Sequence, residues 1–404
     1  EFSKKYKVCG FDKSIVKIEN LKKGKDETNQ YKKKDLLNIF YSNNPEIIKQ
    51  SKYIIVCIPT PVDKYNKPNL FLLKQATKTI GKNLSKDSIV IFESTVYPGV
   101  TEDICLKILR KNTNLKWNRD FNIGYSPERV NPGDKKNTLK NIAKIISAND
   151  KSTLLKVERL YKSIISKIHP VSNIKIAEAS KVIENTQRDV NIGLINEFSL
   201  ILKDLRLDIR EVLEAAQTKW NFLKFEPGLV GGHCIGIDPY YLAYVAKSTS
   251  IKPKVILSAR SINEFMVDKL FERITKKINK KKKILIFGST FKEDCPDLRN
   301  SKNLELAKKL INRGYNVKIN DEFSDKLELK ELTIKNNFIT FNKLKNKKFD
   351  LILFLVKHNY ILKLKNNFLL KLLNKRGIIY DFKNIFKSKK KNFFEKHNII
   401  YLDF

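Results

Sequence analysis

Short, uninterrupted apolar runs are the feature that most constrains how this chain can fold. Each run has the length of a strand and helical patterns lie between them; the runs are Ile54–Ile58, Ile89–Phe92, Ile284–Phe287, Leu351–Val356 and Ile378–Tyr380. A strand that does not alternate apolar and polar residues is buried on both faces, as in a parallel sheet covered by helices. The sequence therefore predicts an α/β fold with parallel sheets.

A long helical pattern separates two such α/β regions. It runs from Ile176 to about Leu205 and contains no Pro and a single Gly, Gly193. A helix of this length between two α/β units is typical of a connecting segment that also dimerises. The charged stretch Asn279–Lys283 marks the start of the second region. We predict three segments, residues 1–172, 173–280 and 281–404.

The second region opens with a βαβ unit. Its first strand is Ile284–Phe287, a helix runs from Ser301 to Gly314, and the next strand, Tyr315–Ile319, ends at Asp321. The intervening loop, which begins at Gly288, lacks the GxGxxG pattern, so a standard dinucleotide site is not expected there. A nucleotide can still bind over the carboxyl ends of the strands.

The N-terminus predicts half of a dinucleotide-binding unit. Glu1–Lys5 resembles the end of a helix, Tyr6–Phe11 a strand, and Asp12 follows that strand. In such a unit this acid binds the ribose and lies about 20 residues after the glycine loop. Because counting back from Asp12 passes residue 1, we predict that the first strand and glycine loop are missing from this sequence. A strand-end acid with no ligand is the alternative for Asp12.

The net charge of +37 over 404 residues first suggests a polyanion partner. The lysines are spread along the whole chain, and no helix-turn-helix, zinc-finger or RNA-binding signature accompanies them. We therefore expect no specific nucleic-acid partner and interpret the charge as compositional drift on solvated faces. A nucleic-acid binder stays open as an alternative.

The five cysteines exclude several kinds of site. They lie at least 48 residues apart, which rules out a local zinc knuckle or a CxxC pair, and we expect no metal. Their odd number, without a signal-peptide pattern, favours a reducing cytoplasm. No apolar run approaches the roughly 20 residues that span a bilayer, so we expect no membrane segment.

The densest chemical segment is Gly228-Leu-Val-Gly-Gly-His-Cys-Ile-Gly-Ile-Asp-Pro-Tyr-Tyr-Leu242. Glycines around Cys234 would let substrate approach the backbone and expose the thiol, which becomes a nucleophile as its thiolate. The alternative is an inert core cysteine. His233 is a candidate general base, but a neighbouring residue in a turn usually points elsewhere. Asp238 could orient a water or a base, or cap the turn that follows.

Other polar residues are weaker candidates. Lys181 and Asn185 are spaced i, i+4 on the long helix, so they share a face and could stabilise an oxyanion, or form a solvated pair. Glu128 lies in a turn, where it is either a general base or a turn acid. Two Pro-containing loops, Cys57–Pro61 and Glu93–Gly99, follow buried strands, where ligands bind in open α/β sheets.

Taken together and in this order, these segments resemble the UDP-glucose/GDP-mannose dehydrogenase family over nearly the whole chain. The matching pieces are Cys-Gly-Phe-Asp12, Ile-Pro-Thr-Pro61, Ser-Thr95-Val-Tyr-Pro-Gly, Ser-Pro-Glu128-Arg, Lys181-x3-Asn185, Gly-Gly-His-Cys234-Ile-Gly-Ile-Asp238, Ala-Arg260-Ser-Ile-Asn, Phe-Lys292 and Asp297-Leu-Arg299-Asn-Ser. The resemblance implies two Rossmann-like domains, for NAD and for a UDP-sugar, joined by a helical dimerisation segment. It also implies oxidation of a sugar 6-hydroxyl to a carboxylate, with NAD as cofactor and a cysteine thioester on the way.

The same resemblance assigns roles to individual residues. Cys234 is the implied nucleophile, Lys181 and Asn185 steady the oxyanion, and Glu128 and Asp238 serve proton transfer and the hydrolytic water. The implied NAD contacts are Asp12, Thr60, Thr95 and Arg299, with Thr95 also positioning water. The implied UDP-sugar contacts are Lys181, Asn185, Gly231, Arg260 and Lys292.

Three segments resemble the branch of the family that acts on UDP-N-acetylhexosamines: Ser126-Pro-Glu-Arg-Val-Asn-Pro-Gly-Asp134, Glu184-Asn-Thr-Gln-Arg-Asp189 and Lys219-Trp-Asn-Phe-Leu223. Enzymes for UDP-glucose tend to carry a second glutamate four residues after Glu128, where this chain has Pro132. We expect UDP-N-acetylglucosamine rather than its galactosamine epimer as substrate, a homodimer or larger homo-oligomer, and a product used in surface polysaccharides. The alternative is an inactive remnant that lacks the NAD glycine loop.

Overall fold

The computed structural model describes residues 1–26, 31–130, 137–324, 329, 332–386 and 388–403. Pro132, on which the choice between UDP-sugars partly rests, lies outside the described residues. Residues 1–185 and 237–252 form one unit, and residues 186–236 and 253–404 form a second.

Strands and helices alternate along most of the described chain. The strands are β1 (Cys9–Phe11), β2 (Phe40–Ser42), β3 (Tyr53–Val56), β4 (Ser88–Phe92), β5 (Phe121–Tyr125), β6 (Lys144–Ala148), β7 (Ile168–Pro170), β8 (Lys283–Phe287), β9 (Asn316–Asn320), β10 (Phe349–Phe354), β11 (Leu373–Asp381) and β12 (Ile400–Asp403). The α-helices are α1 (Ile15–Lys22), α2 (Lys33–Leu36), α3 (Phe71–Lys82), α4 (Leu106–Lys111), α5 (Lys151–Lys162), α6 (Ile174–Asp204), α7 (Ile209–Ala216), α8 (Asp238–Val245), α9 (Lys254–Thr275), α10 (Lys302–Asn312), α11 (Phe341–Leu344), α12 (Asn359–Leu362), α13 (Asn366–Leu372) and α14 (Ser388–Lys396). Short 3-10 turns cover Phe2–Lys4, Pro45–Gln50, Ala246–Ser248 and Lys335–Asn337, and a π-helical turn, Val100–Cys105, precedes α4.

The first unit contains a sheet with strand order β3-β4-β5-β6-β7 and a separate parallel pair, β1 and β2. Every residue of β4 is buried, as the uninterrupted apolar pattern of a central parallel strand predicts. The predicted strand over Tyr6–Phe11 is shorter in the structure and covers Cys9–Phe11.

One pair in this sheet departs from the predicted parallel arrangement. Strand β6 runs antiparallel to β5, whereas β3, β4 and β5 pair in parallel, as do β6 and β7. A parallel pair needs a crossover connection, usually a helix, and the described residues between β5 and β6 contain no helix. Helix α5 supplies that crossover for β6 and β7, which explains why this pair is parallel.

The predicted long helix is present as α6, which covers Ile174–Asp204 in 31 residues. The division between the two units falls inside it, between Asn185 and Thr186. Its core-facing residues in the first unit include Ala177 and Val182, which are fully buried. The predicted segment boundaries near residues 172 and 281 stay predictions.

The second unit is built on a parallel sheet with strand order β12-β11-β10-β8-β9. In this doubly wound order the chain first adds strands on one side of β8 and then, from β10 onwards, on the other. Ligands bind outside the carboxyl ends of the strands at the point of reversal, here between β8 and β10. The predicted βαβ unit is confirmed. Ser301 caps α10 by accepting from the Leu304 N–H (3.3 Å), and Gly314 adopts φ 85° just after it.

Within the described residues, no helix combines the length and the apolar character needed to cross a membrane.

Candidate active site

The loop that carries Cys234 is held by residues 288–300 of the same unit. The Gly232 N–H donates to the Asn300 carbonyl (3.0 Å), and the Asn300 side-chain amide donates to the Gly232 carbonyl (2.8 Å). Gly232 has a φ of 83°, and a Cβ there would lie 2.7 Å from the Phe291 ring. This position therefore requires glycine for its backbone conformation and for its close packing. Cys234, two residues later, is half-buried.

The backbone of Gly231 likewise packs closely against the loop that carries Asn300. A Cβ on Gly231 would lie 2.5 Å from the carbonyl oxygen of Asn300. We expected the glycines to admit substrate to the backbone, whereas at positions 231 and 232 they admit a neighbouring loop. A contact between Gly231 and the substrate stays a prediction.

The other cysteines differ from Cys234 in their surroundings. Cys105 and Cys295 are buried, and burial raises the pKa of the Cys105 thiol to about 12. A thiol that stays protonated at neutral pH is a poor nucleophile. The interpretation of a cysteine as core filler therefore fits Cys105 better than the half-buried Cys234.

His233 is oriented towards an acidic partner. Its Nδ1 lies 3.4 Å from Oδ2 of Asp297, and its ring meets the edge of Phe291 at 5.9 Å between centroids. The Asp297 carboxylate and, to a lesser degree, the Cys234 sulfur raise the pKa of His233 to about 9. From the sequence His233 is only a weak candidate general base, and its approach to Asp297, 64 residues away, could not be read from local spacing.

Two residues predicted to bind ligands lie on the loop after β8. Arg299 binds the Asp297 carboxylate through Nε (2.9 Å) and a terminal nitrogen (2.6 Å), and 59% of its side chain is exposed. Lys292 is half-buried, and its carbonyl accepts from the Thr290 hydroxyl (3.0 Å). Both residues therefore follow β8, one of the two strands at which the chain direction across this sheet reverses.

Arg260, on α9, is almost completely buried. It donates to Asp189 (2.6 Å) and also pairs with Glu264, and Asn263 donates to the same Asp189 oxygen (2.8 Å). A Cβ on Gly236 would lie 3.8 Å from its guanidinium. Arg260 thus supports the end of the Cys234 loop, and its predicted contact with the UDP-sugar stays a prediction.

In the first unit, α6 and α8 bring three predicted residues together. Lys181 and Asn185 are both 8% exposed, which excludes a solvated surface pair. The Asn185 amide donates to the Asp238 carboxylate (2.5 Å), and Asp238 opens α8 in a buried position. A cation, an oriented amide and a carboxylate therefore lie in one buried region of this unit.

The two prolyl loops of the first unit meet at the carboxyl ends of β3 and β4. The Thr60 hydroxyl donates to the Thr95 carbonyl (2.6 Å), and the Tyr241 hydroxyl donates to the Thr60 carbonyl (2.8 Å). Thr60 and Thr95 are both half-buried. Adjacent parallel strands thus present two threonines at one edge, as predicted for a ligand-binding edge.

Glu178, absent from the predicted site, joins the second of these loops to α6. Its carboxylate accepts from the backbone N–H groups of Gly99 (2.5 Å) and Thr101 (2.8 Å). Burial raises its pKa to about 7, against the opposing effect of these hydrogen bonds. The spacing to Lys181 (i, i+3) and Asn185 (i, i+7) places it on their helix face, a signal that could have found it.

Glu128 follows β5 and is exposed. Its carboxylate accepts from the Val130 N–H, the contact expected of a turn acid. The next residue, Arg129, pairs with Glu184 of α6 (2.8 Å), so the turn is fixed in place within this unit. An exposed carboxylate on a fixed turn also suits a base that acts on water.

Asp12 follows β1, as predicted, and accepts from the Ser14 N–H (3.0 Å) and the Lys17 ammonium (2.7 Å). Although partial burial opposes them, these donors lower the pKa of its carboxyl. This is the contact pattern of a strand-end acid that precedes a helix, and a contact with the NAD ribose stays a prediction.

Comparison with family models covers most of the chain in three consecutive parts. Residues 2–165 match the NAD binding domain of the UDP-glucose/GDP-mannose dehydrogenase family, 175–265 match its central domain and 285–388 its UDP binding domain. Protein CapL of Staphylococcus aureus is 44% identical over 400 residues, covering 97% of this chain and 93% of that protein. The chain belongs to this family.

Two further comparisons concern relatives with named substrates. The UDP-N-acetyl-D-glucosamine 6-dehydrogenase of Salmonella typhi is 39% identical over 395 residues, covering 95% of this chain and 92% of that enzyme. The structure of a UDP-D-ManNAc dehydrogenase from Pyrococcus horikoshii has a TM-score of 0.85 and 28% identity, covering 100% of this chain and 94% of that one. The fold is therefore that of a nucleotide-sugar dehydrogenase.

Membership of the family gives the first unit an NAD site and the second a UDP site. NAD is the cofactor, and Asp12, Thr60 and Thr95 lie in the matched NAD binding domain. A carboxylate and two hydroxyls at the carboxyl ends of parallel strands are groups that bind ribose, so these residues fit the cofactor. Lys292 and Arg299 lie in the matched UDP binding domain.

Proposed function

We propose that this member of the family oxidises the 6-hydroxyl of UDP-N-acetylglucosamine to the carboxylate, for surface polysaccharide synthesis. The half-buried Cys234 in its fixed glycine loop carries the proposal. The relative named for N-acetylglucosamine is 39% identical over 395 residues, against 34% over 285 residues for the Pyrococcus horikoshii relative named for the mannosamine sugar, which favours the glucosamine substrate. The galactosamine epimer is a less favoured alternative.

The overall reaction removes four electrons from one carbon. The alcohol, two NAD and one water give the carboxylate, two NADH and three protons. NAD, when bound, would supply the hydride acceptor for both oxidations. Between the two, the Cys234 sulfur bonds to the aldehyde carbon, so that the second oxidation leaves a thioester, which water cleaves.

Buried polar residues on α6 stabilise charge on the reacting oxygen. Lys181 supplies a cation and Asn185 an amide N–H. Asp238 accepts from one N–H of the Asn185 amide (2.5 Å) and so orients the other. Glu128, exposed on a fixed turn, activates the hydrolytic water, and Thr95 helps to position it.

The remaining predicted residues bind the two ligands. Asp12, Thr60, Thr95 and Arg299 contact NAD, and Lys181, Asn185, Gly231, Arg260 and Lys292 contact the UDP-sugar. The exposed guanidinium of Arg299 and the position of Lys292 after β8 support these assignments. Arg260 is engaged by Asp189 and Glu264, so we assign it chiefly to the support of the Cys234 loop.

We further propose that the protein is a homodimer or larger homo-oligomer formed through α6. Five exposed apolar side chains lie on this helix, at Ile176, Ile183, Leu194, Phe198 and Ile201. At about 100° per residue they fall within an arc of about 60°, a single stripe along the helix. A second copy of the same helix is the matching apolar surface.

The domain division that we propose is residues 1–172 for NAD, 173–280 for the central segment and 281–404 for the UDP-sugar.

We place the protein in the cytoplasm because its five cysteines form no disulfide in the structure, as expected in a reducing compartment.

The decisive experiment measures NADH release by the native protein with UDP-glucose and with the glucosamine, galactosamine and mannosamine UDP-N-acetylhexosamines. We expect two NADH per UDP-N-acetylglucosamine and loss of turnover in Cys234→Ser. Cys9→Ser, which replaces an exposed cysteine, is the matched control and should keep full activity. Full turnover by Cys234→Ser would contradict the mechanism, and preference for another sugar would contradict the substrate.

The same assay decides between this proposal and an inactive remnant. The comparisons offer no support for an inactive remnant, and NADH release would exclude it. A nucleic-acid binder would require binding with sequence preference, because sequence-independent binding that salt abolishes reflects counterion release alone.

A further inference from the structure

The second unit gathers positive charge at one edge of its sheet. Strands β8, β10 and β11 are neighbours and run in parallel, so their amino ends lie together. The segments at these ends are residues 276–283, 343–350 and 373–377, here called the basic edge. Twelve of these 21 residues are Lys or Arg, and all twelve are exposed.

Contacts between the three segments join them into one surface. Asp350, the one carboxylate among the 21 residues, accepts from the Lys283 N–H (2.8 Å) and from the Asn374 amide (2.9 Å). Lys282 also pairs with Asp350 (3.4 Å), and in the described part of the chain it is the only one of the twelve cations that pairs with a carboxylate. The edge therefore keeps nearly all of its positive charge.

The carboxyl ends of the same three strands provide an internal comparison. Residues 288–299, 355–359 and 381–384 also number 21, and they contain four cations and four carboxylates. At the average of the chain, 80 Lys and Arg in 404 residues, 21 residues would contain about four cations. Compositional drift therefore accounts for the carboxyl ends, whereas the basic edge holds about three times as many cations.

The charges of the basic edge are close enough to act together. Neighbouring strands lie about 4.8 Å apart, which is less than the Debye length of about 8 Å at physiological ionic strength. The potentials of the three strand ends therefore add, instead of being screened from one another. Such a surface attracts a partner that carries many negative charges.

The side chains of this edge fit an anionic lipid surface better than a nucleic acid. Proteins read nucleic acids with Arg on base edges or with aromatic rings stacked on bases, and the edge offers one Arg and no exposed aromatic residue. Its other eleven cations are lysines, whose ammonium groups act as point charges, and lysine clusters bind anionic lipid headgroups. The four apolar side chains of the edge are buried, so contact depends on charge alone.

We propose that the basic edge docks the protein on an anionic lipid surface. The edge lies at the opposite end of the strands from residues 288–300, which hold the Cys234 loop. Docking through the basic edge therefore leaves the Cys234 loop of the same unit uncovered. The proposal is independent of the reaction proposed above.

Sedimentation of the full chain with lipid vesicles tests the proposal. One set of vesicles contains phosphatidylcholine alone, and the other also contains about 30% phosphatidylglycerol, which supplies the negative charge. At about 0.1 M salt we expect binding to the anionic vesicles and not to the neutral ones. Raising the salt to about 0.5 M should release the protein, because screening is then stronger.

Two variants that lose the same charge separate the basic edge from the charge of the whole chain. The basic-edge variant carries four substitutions at exposed lysines, Lys281→Gln, Lys345→Gln, Lys347→Gln and Lys375→Gln. The control variant carries four substitutions at exposed lysines of the first unit, Lys78→Gln, Lys107→Gln, Lys151→Gln and Lys156→Gln. Affinity for anionic vesicles should fall by at least about tenfold in the basic-edge variant and by less than about twofold in the control variant.

Equal losses in the two variants would assign the attraction to the charge of the whole chain and overturn the proposal, as would equal binding to neutral vesicles. Binding of an RNA or DNA oligonucleotide with sequence preference, lost in the basic-edge variant, would make nucleic acid the partner and would also overturn it. Circular dichroism checks that each variant is folded.

A second measurement needs no variant. Lysines of the native protein are acetylated with and without anionic vesicles, and each site is followed by mass spectrometry. Lysines of the basic edge should be protected by the vesicles, whereas the four lysines of the first unit should react as before. Protection that is equal at both sets, or absent at the basic edge, would contradict docking through this surface.

Discussion

Glu178 offers a quantitative test of how the loop after β4 is attached to α6. Burial raises its pKa from an ordinary 4.5 to about 7, while the N–H groups of Gly99 and Thr101 donate to its carboxylate. The difference of about 2.5 between these values corresponds to about 3 kcal/mol, at about 1.4 kcal/mol per pKa unit. Glu178→Gln keeps the shape and removes the ionisation.

The direction in which the free energy of unfolding changes with pH follows from proton binding by Glu178. The folded protein holds the Glu178 proton more tightly than the unfolded chain, so this stabilisation is complete below about pH 4.5 and is lost as the pH rises through about 7. Glu178→Gln does not lose it. The free energy of unfolding of the variant, minus that of the wild type, should therefore increase by about 3 kcal/mol from about pH 4.5 to about pH 8.

Urea unfolding in a Trp220→Phe background measures this difference, because Trp117 in the first unit is then the remaining tryptophan. Trp220 is 91% exposed, so its replacement should have little effect. Glu197→Gln, an exposed position on the same helix, is the matched control and should give a difference independent of pH. A difference for Glu178→Gln that stays constant across this range would refute the argument.

Two further predictions concern the Cys234 loop and the α6 stripe. Gly232→Ala should lower the melting temperature and the activity, because φ is 83° and the Phe291 ring would lie 2.7 Å from the new Cβ. Gly314→Ala is the control. This residue has a φ of 85° but no close contact, so the substitution should cost only the backbone strain of about 1 kcal/mol. Ile201→Glu should shift the protein from dimer to monomer in sedimentation velocity, and an unchanged mass would contradict the proposed interface.

The sequence predicted most strands and the long helix because both depend on local periodicity. The apolar run Ile89–Phe92 and the pattern from Ile176 correspond to β4 and α6 within two residues. The antiparallel direction of β6 could not be predicted, because it depends on the path of the connection after Tyr125 rather than on the residues of the strand.

In the site, too, contacts set by local spacing could be predicted, whereas contacts between residues far apart in the sequence could not. Lys181 and Asn185 share a face because of their spacing, and the structure confirms that both are buried on it. The hydrogen bond from Asn185 to Asp238 joins residues 53 positions apart, and no local pattern contains it. The approach of His233 to Asp297 is likewise set by the packing of two loops.

The hydrogen bonds between Gly232 and Asn300 can form only late in the synthesis of the chain. Chains emerge from the ribosome N-terminus first, at about 5 to 20 residues per second. The Cys234 loop is made 68 residues before the amide that fixes Gly232. Cys234 therefore leaves the ribosome before the residues that fix its loop, and it acquires its final surroundings only after β8 and the loop that follows it have been translated.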